Sequence, residues 1–195
     1  MGFKHTGLFP EQALNWDYIY NKLDGKKAKV LNLFAYTGGA TVAALKAGAN
    51  VVHVDSSKGM VSWAKENVND SGVNREAVRY IVDDVIKFVK REIRRGNKYD
   101  AIIMDPPSYG RGANGEVWSL EKDLNNLVNL CSELLSDKPI FFLINSYSGL
   151  SPIVLENILK SNIAGGSVKV GELGLKATSN ELVLPCGIYG RWEND

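Results

Sequence analysis

The chain has 195 residues, 45% of them hydrophobic, enough for a full core, and a single domain over 1–195 is the expectation. Lys and Arg number 23 against 22 Asp and Glu, a net charge of +1. No global electrostatic footprint therefore marks a nucleic-acid binder, and any such contact must be local. Cys131 and Cys186 are too few and too far apart for a disulfide scaffold or a zinc site. No apolar run reaches about 18 residues and the first residues lack the core of a signal peptide, so a cytoplasmic, reducing location is expected.

Taken in chain order, short β-branched runs alternate with helical patterns. Residues 11–23 read as a helix with Trp16, Ile19, Tyr20 and Leu23 on one stripe. The first strand, 30–34, leads into the turn Ala35-Tyr36-Thr37-Gly38-Gly39 and a helix over 41–47. Strand 51–55 and helix 58–69 follow, then strand 78–82 and helix 85–95, strand 99–104, helix 120–135, strand 140–145 and helix 152–163. The strands are near-continuously apolar, as in a sheet covered on both faces, and the alternation implies βαβ units with a parallel sheet. The tail differs: 168–175 and 182–189 follow one another with no helix between, which predicts an antiparallel pair at the sheet's edge.

Four successive strands end in residues suited to ligands. At the first, glycines let backbone approach a bound group, and the N–H groups of the next helix favour an anion. Seventeen residues after Gly38, Asp55 closes the second strand, where a carboxylate can accept from both hydroxyls of a ribose. The third ends in Asp83-Asp84, which can meet an adenine amino group or cap the following helix. The fourth ends in Asp105-Pro106-Pro107-Ser108-Tyr109. There a carboxylate and proline carbonyls can hold a planar amine while Tyr109 offers a stacking face. The glycines of a dinucleotide fingerprint are missing around Gly38, which disfavours a nicotinamide oxidoreductase.

These residues resemble the class I S-adenosylmethionine-dependent methyltransferases and, more narrowly, the bacterial large-subunit ribosomal RNA methyltransferases. The resemblance implies an α/β Rossmann-like fold with a seven-stranded, mostly parallel sheet, an antiparallel C-terminal pair and helices on both faces. It implies S-adenosyl-L-methionine as cofactor, S-adenosyl-L-homocysteine as product, ribosomal or other RNA as partner, and no metal. For the cofactor it designates Phe34, Tyr36, Thr37, Gly38, Asp55, Ser56, Asp84 and Val85. Gln12 joins them from Gly7-Leu8-Phe9-Pro10-Glu11-Gln12, part of a segment over 1–25 that caps the site. Asp105, Pro106, Pro107 and Tyr109 fall on the catalytic side, with Ser108, Arg111 and Tyr147 facing substrate. Family members often carry an additional small N-terminal RNA-binding domain, so this chain is either a fragment or binds its substrate without that module.

Relatives that methylate carbon 5 of cytosine place a nucleophilic cysteine after the fifth strand, because that carbon reacts only once a thiolate has added to the ring. Here Tyr147 takes that place, and Cys131 and Cys186 read as inert. Direct displacement onto a nitrogen is the leading expectation. The amino-methyltransferase pattern puts its aromatic straight after the second proline, whereas Ser108 intervenes here, so oxygen and carbon acceptors stay open. So do a protein or small-molecule substrate and a non-catalytic cofactor-binding role. The basic face of Lys87, Lys90, Arg91, Arg94, Arg95 and Lys98 reads as a solvated helix end or an RNA contact. Arg111, Asn114, Glu116 and Trp118 compose a lid or a plain surface loop. Trp16 and Trp63 read as core, and Trp192 as a residue that closes the sheet.

Overall fold

The computed structural model describes residues 7–111, 117–147 and 149–195. A seven-stranded sheet organises them, in the order β3-β2-β1-β4-β7-β9-β8. Its strands are β1 (Lys29–Leu33), β2 (Asn50–Asp55), β3 (Val78–Val82), β4 (Ala101–Met104), β7 (Phe141–Ser146), β8 (Ser167–Lys176) and β9 (Val183–Glu193). β1 to β4 and β7 run parallel, whereas β9 inserts antiparallel between β7 and β8. The expected antiparallel tail is therefore present, with β8 as the edge and β9 one strand inside it.

Helices cover both faces, as predicted. α1 (Ala13–Leu23), α2 (Gly39–Lys46) and α3 (Lys58–Asp70) share one core with Val30, Val51, Ile103 and Phe141 through Ile19, Leu23, Ala44, Leu45 and Val68. α4 (Val85–Arg94), α5 (Leu120–Ser132) and α6 (Pro152–Asn162) share the other with Leu31, Leu33, Ile102 and Phe142 through Phe88, Leu124, Leu127 and Leu155. Alternate residues of one strand thus feed opposite cores, which explains their unbroken apolar runs.

Several boundaries differ from the sequence reading, with local causes. Phe34 lies outside β1 because its φ of 53° breaks the strand. Tyr99 lies outside β4: its N–H donates to the Leu134 carbonyl at 2.8 Å, and it makes a lone bridge with Leu135. The same pairing ends α5 at Ser132, three residues short of the expected Leu135. A hairpin of β5 (Tyr109–Arg111) and β6 (Val117–Ser119) stands where a loop was expected. Trp118 in it is no lid residue, being buried with its indole N–H donating to the Pro107 carbonyl at 2.6 Å. Asn114 and Glu116 lie outside the described residues.

Trp16 and Trp63 are half-buried and line cavities instead of filling the core, whereas Trp192 is buried in β9 as expected. The basic helix end is partly committed within the chain. Arg91 pairs with Asp83, Arg95 with the buried Glu92 at 3.1 Å, and Lys98 donates to the Glu133 carbonyl.

Candidate active site

The chain reverses its winding between β1 and β4, so the carboxyl ends of these strands flank a crevice, the usual ligand position of an open α/β sheet. Every predicted cofactor residue except Gln12 sits at a carboxyl end of β1, β2 or β3 or just beyond it.

The β1–α2 turn is held in an unusual backbone path. Phe34 and Tyr36 have φ of 53° and 49°, and Gly38, which precedes α2, has φ of 91°. Non-glycine residues in this region cost about 1–2 kcal/mol each, so the turn persists only because its neighbours fix it. Tyr36 N–H donates to Asp55 Oδ2 at 3.0 Å, and Asn67 Nδ2 donates to the Thr37 carbonyl at 2.8 Å. Gly39 packs so tightly on the Trp16 indole that a Cβ would stand 2.9 Å from it.

Asp55 has its carboxylate oriented by two backbone donors, Tyr36 N–H and, at 2.8 Å, Ser57 N–H. Burial pushes its pKa up and these bonds oppose the shift. Each oxygen keeps a free lone pair for a further donor. Asp84 caps α4 by accepting from Lys87 N–H at 2.9 Å, and Asp83 accepts from Asp84 N–H and pairs with Arg91. The capping reading of the pair is thus realised. Asp84 also lines, with Phe34, Val85, Ile86, Lys87 and Trp118, a cavity of about 230 Å³, in which the Phe34 and Trp118 rings lie 5.3 Å apart.

Residues 7–12 pass over the turn, anchored by Thr37 Oγ1 donating to the Gly7 carbonyl. Between strap and turn lies a cavity of about 50 Å³, lined among others by Gln12, Gly38, Asp105 and Asn145. It adjoins an open one of about 470 Å³ that shares Trp16, Thr37 and Gly39 with it. Phe9 sits between Tyr36 and Tyr147, each ring centroid 5.8 Å away.

Asp105 follows β4 with its two oxygens in different settings. Oδ2 accepts from the Tyr147 hydroxyl at 3.3 Å, while Oδ1 is buried with no partner among the described residues. Burial pushes the carboxyl up to about 7, with the Tyr147 bond opposing and the charge of Glu11 adding to the rise. Tyr147 in turn accepts from Gln12 Nε2 at 2.7 Å, and its own phenol is pushed up by burial and by Asp105. Beyond Asp105, Pro106 is buried and Pro107, Ser108, Tyr109 and Arg111 are exposed, Tyr109 at 57% with Arg111 Nε 3.3 Å from its hydroxyl. The Pro107 carbonyl is committed to Trp118, and the Ser108 carbonyl accepts from Leu120 N–H at 3.0 Å.

Sequence reasoning missed Asn15, Asn145 and Arg191, all buried behind Gln12. One signal was available: Asn15 stands four residues before Ile19 and eight before Leu23, a polar residue on a buried stripe. No metal-binding group of His, Cys, Asp or Glu occurs among the described residues. Nor does any described helix have the length and apolarity to cross a membrane.

The comparisons agree with this fold. A family model for S-adenosylmethionine-dependent methyltransferases matches residues 2–162. The chain is 34% identical over 137 residues to the ribosomal RNA large subunit methyltransferase K/L of Shewanella frigidimarina, covering 69% of this chain and 19% of that protein. It is 29% identical over 161 residues to ribosomal RNA large subunit methyltransferase K of Neisseria meningitidis serogroup B, covering 82% and 44%. The crystal structure of an S-adenosylmethionine-dependent methyltransferase from Agrobacterium tumefaciens superposes with a TM-score of 0.94 at 39% identity, covering 100% of this chain and 66% of that one. The chain thus spans less than half the length of these curated relatives. It belongs to the S-adenosylmethionine-dependent methyltransferase family, and its cofactor is S-adenosylmethionine.

Proposed function

We propose that residues 1–195 act as one methyltransferase domain that methylates a nucleobase of ribosomal RNA in the cytoplasm by direct displacement, with no covalent bond between enzyme and base. The residues fit the cofactor. Asp55 keeps lone pairs for ribose hydroxyls beside Ser56, and the cavity walled by Phe34, Val85 and Trp118, with Asp84 at its rim, suits a flat purine. Tyr36, Thr37, Gly38 and Gln12 would enclose the amino-acid end. Bound S-adenosylmethionine supplies a methyl group already activated by its sulfonium.

The chain's own task is then alignment, worth about 7–11 kcal/mol when complete. Tyr109 and Arg111 present an exposed platform for the base, next to Ser108. The observation that carries the reading is the buried, unpartnered Asp105 Oδ1 in the crevice, at the end of a strand whose neighbour β7 leads to Tyr147 and not to a thiol. Oδ1 accepts the N–H of an acceptor amine and takes the proton that nitrogen sheds; a carboxyl near 7 suits that exchange at neutral pH. With the Pro107 carbonyl occupied, a second acceptor for the base falls to Pro106.

The test is methyl transfer from labelled cofactor into ribosomal RNA taken from cells lacking the protein, with the modified base then identified. Asp105→Ala should lower turnover by about a hundredfold or more while leaving cofactor affinity nearly unchanged. Loss of cofactor binding in that variant, or label absent from RNA with the wild-type chain, would refute the assignment.

A further inference from the structure

Behind the catalytic carboxylate, a continuous chain of polar side chains, buried at Arg191, Asn15, Asn145 and Gln12 and reaching the surface at Tyr147, links β9 through the start of α1 to the end of the neighbouring strand β7. Arg191 is 8% exposed, and its guanidinium is held between the rings of Tyr18 and Tyr189 at 4.1 and 4.3 Å. Its Nη2 donates to Asn15 Oδ1 at 2.7 Å and to the Leu14 carbonyl at 3.3 Å. Asn15 Nδ2 donates to Asn145 Oδ1 at 2.8 Å and to Gln12 Oε1 at 2.9 Å, and Asn145 Nδ2 reaches the same Gln12 oxygen at 3.1 Å. Gln12 Nε2 donates to the Tyr147 hydroxyl, whose proton is left for Asp105 Oδ2.

The direction of every bond in this chain follows from its first member. A guanidinium donates and never accepts. It therefore fixes the carbonyl oxygen of Asn15 toward itself and the amide nitrogen toward Gln12 and Asn145. Gln12 Oε1 then has donors on its inner side, so its nitrogen must face Tyr147. A phenol that already accepts from that nitrogen keeps its own proton for the carboxylate.

We propose that Arg191 is a positioning residue that sets the donor sense of the Asn15–Asn145–Gln12–Tyr147 chain and so holds Tyr147 as a hydrogen-bond donor to Asp105. The role this gives Asp105 rests on the methyl-transfer reading above. The groups facing Asp105 are Tyr147, from the end of β7, and Glu11, from the Pro10–Gln12 turn. Those around Arg191 are Tyr18 of α1 and Tyr189 and Glu193 of β9, with Lys22 of α1 paired to Glu193 and Lys169 opposite Arg191 on β8.

The test reads the ionisation of Asp105 directly, by carbon-13 NMR of labelled aspartate in the full chain bound to S-adenosylhomocysteine, the resonance being assigned by its loss in Asp105→Asn. Tyr147→Phe should raise the midpoint by about one pH unit, because the charged carboxylate loses its donor. Arg191→Met should raise it likewise. Asn15→Leu keeps the Arg191 charge but not the relay, so it separates orientation from simple electrostatics, and it carries the test if Arg191→Met does not fold. Arg191→Lys, still a pure donor, should keep the wild-type midpoint. Adding Asn15→Leu to Tyr147→Phe should give no further shift. A folded Asn15→Leu protein titrating at the wild-type midpoint, or a shift that adds to that of Tyr147→Phe, would overturn the proposal. No substrate is present in these titrations, so an error about RNA would leave the result standing.

Discussion

Replacing Asp105 by Asn should make the protein more stable at alkaline pH while abolishing turnover. Asp105 titrates near 7 in the folded chain against 3.8 for an ordinary aspartate, chiefly through burial. Below 3.8 both states are protonated and the group contributes no difference. Between 3.8 and about 7 the unfolded chain gives up its proton and the folded one retains it, so the native state binds more protons and stability falls as pH rises. Above about 7 the loss is complete, and its ceiling is about 4 kcal/mol. Because the residue is only part-buried, about 2–4 kcal/mol is the working expectation. An asparagine of the same shape can still accept from the Tyr147 hydroxyl and carries no charge to desolvate. Equilibrium urea denaturation of wild type and Asp105→Asn at about pH 4 and about pH 8.5 isolates the effect, since other titrating groups cancel in the difference. A wild-type-to-variant difference that stays constant across that range would refute the claim that burial governs this carboxyl.

Two further outcomes follow from buried groups of other kinds. His53 is fully buried with Nδ1 2.9 Å from Thr41 Oγ1, and burial lowers its pKa from 6.5 to about 4, a contact with the Tyr36 backbone working the other way. His53 therefore contributes a loss of stability as pH falls through that window, about 3 kcal/mol and opposite in sign to the contribution of Asp105, so the difference between wild type and His53→Gln should shift by that amount against wild type between about pH 7 and pH 4 in the same denaturation series. Cys131 is buried in α5 with its thiol pushed up by burial, and Cys186 Sγ lies 3.3 Å from the Leu184 carbonyl. Cys131→Ser and Cys186→Ser should each retain turnover in the RNA assay, and loss of it in either variant with the fold intact would reinstate a covalent mechanism.

The parts of this molecule readable from sequence are those that local rules control. Unbroken apolar runs marked the parallel strands because two cores claim alternate residues, and the strand-ending Asp55, Asp84 and Asp105 were visible because an acid after such a run is conspicuous. The β5–β6 hairpin was not, since strands of three residues carry no period to detect. Trp16 and Trp63 were misread because a stripe that faces a cavity has the same spacing as one that faces a core. The end of α5 and the start of β4 were displaced together, since both depend on Tyr99 meeting Leu134 and Leu135 across the fold. The Arg191 chain lay furthest out of reach. Its bonded partners Asn15 and Arg191 stand 176 residues apart, and neither composition nor periodicity joins them.

The electrostatics of the crevice bear on which atom receives the methyl group. A thiolate nucleophile needs a cation or a helix N-terminus beside it to stay ionised. The position after β7 instead holds a phenol whose proton is kept by burial and by the adjacent carboxylate, with Glu11 contributing further negative charge near Asp105. Such surroundings would raise the pKa of any thiol placed there and work against covalent attack on a ring carbon. They favour the opposite development of charge. An amine or ring nitrogen gains positive charge as it is methylated, and Asp105, short of hydrogen bonds on Oδ1, is stabilised by that change more than by the neutral ground state. An oxygen acceptor must give up its proton to Asp105 before or as it attacks, which neutralises the carboxylate and leaves no developing cation for it to stabilise. The ordering of acceptors that this predicts is nitrogen ahead of oxygen ahead of carbon, and the identity of the methylated base atom in the RNA assay decides it.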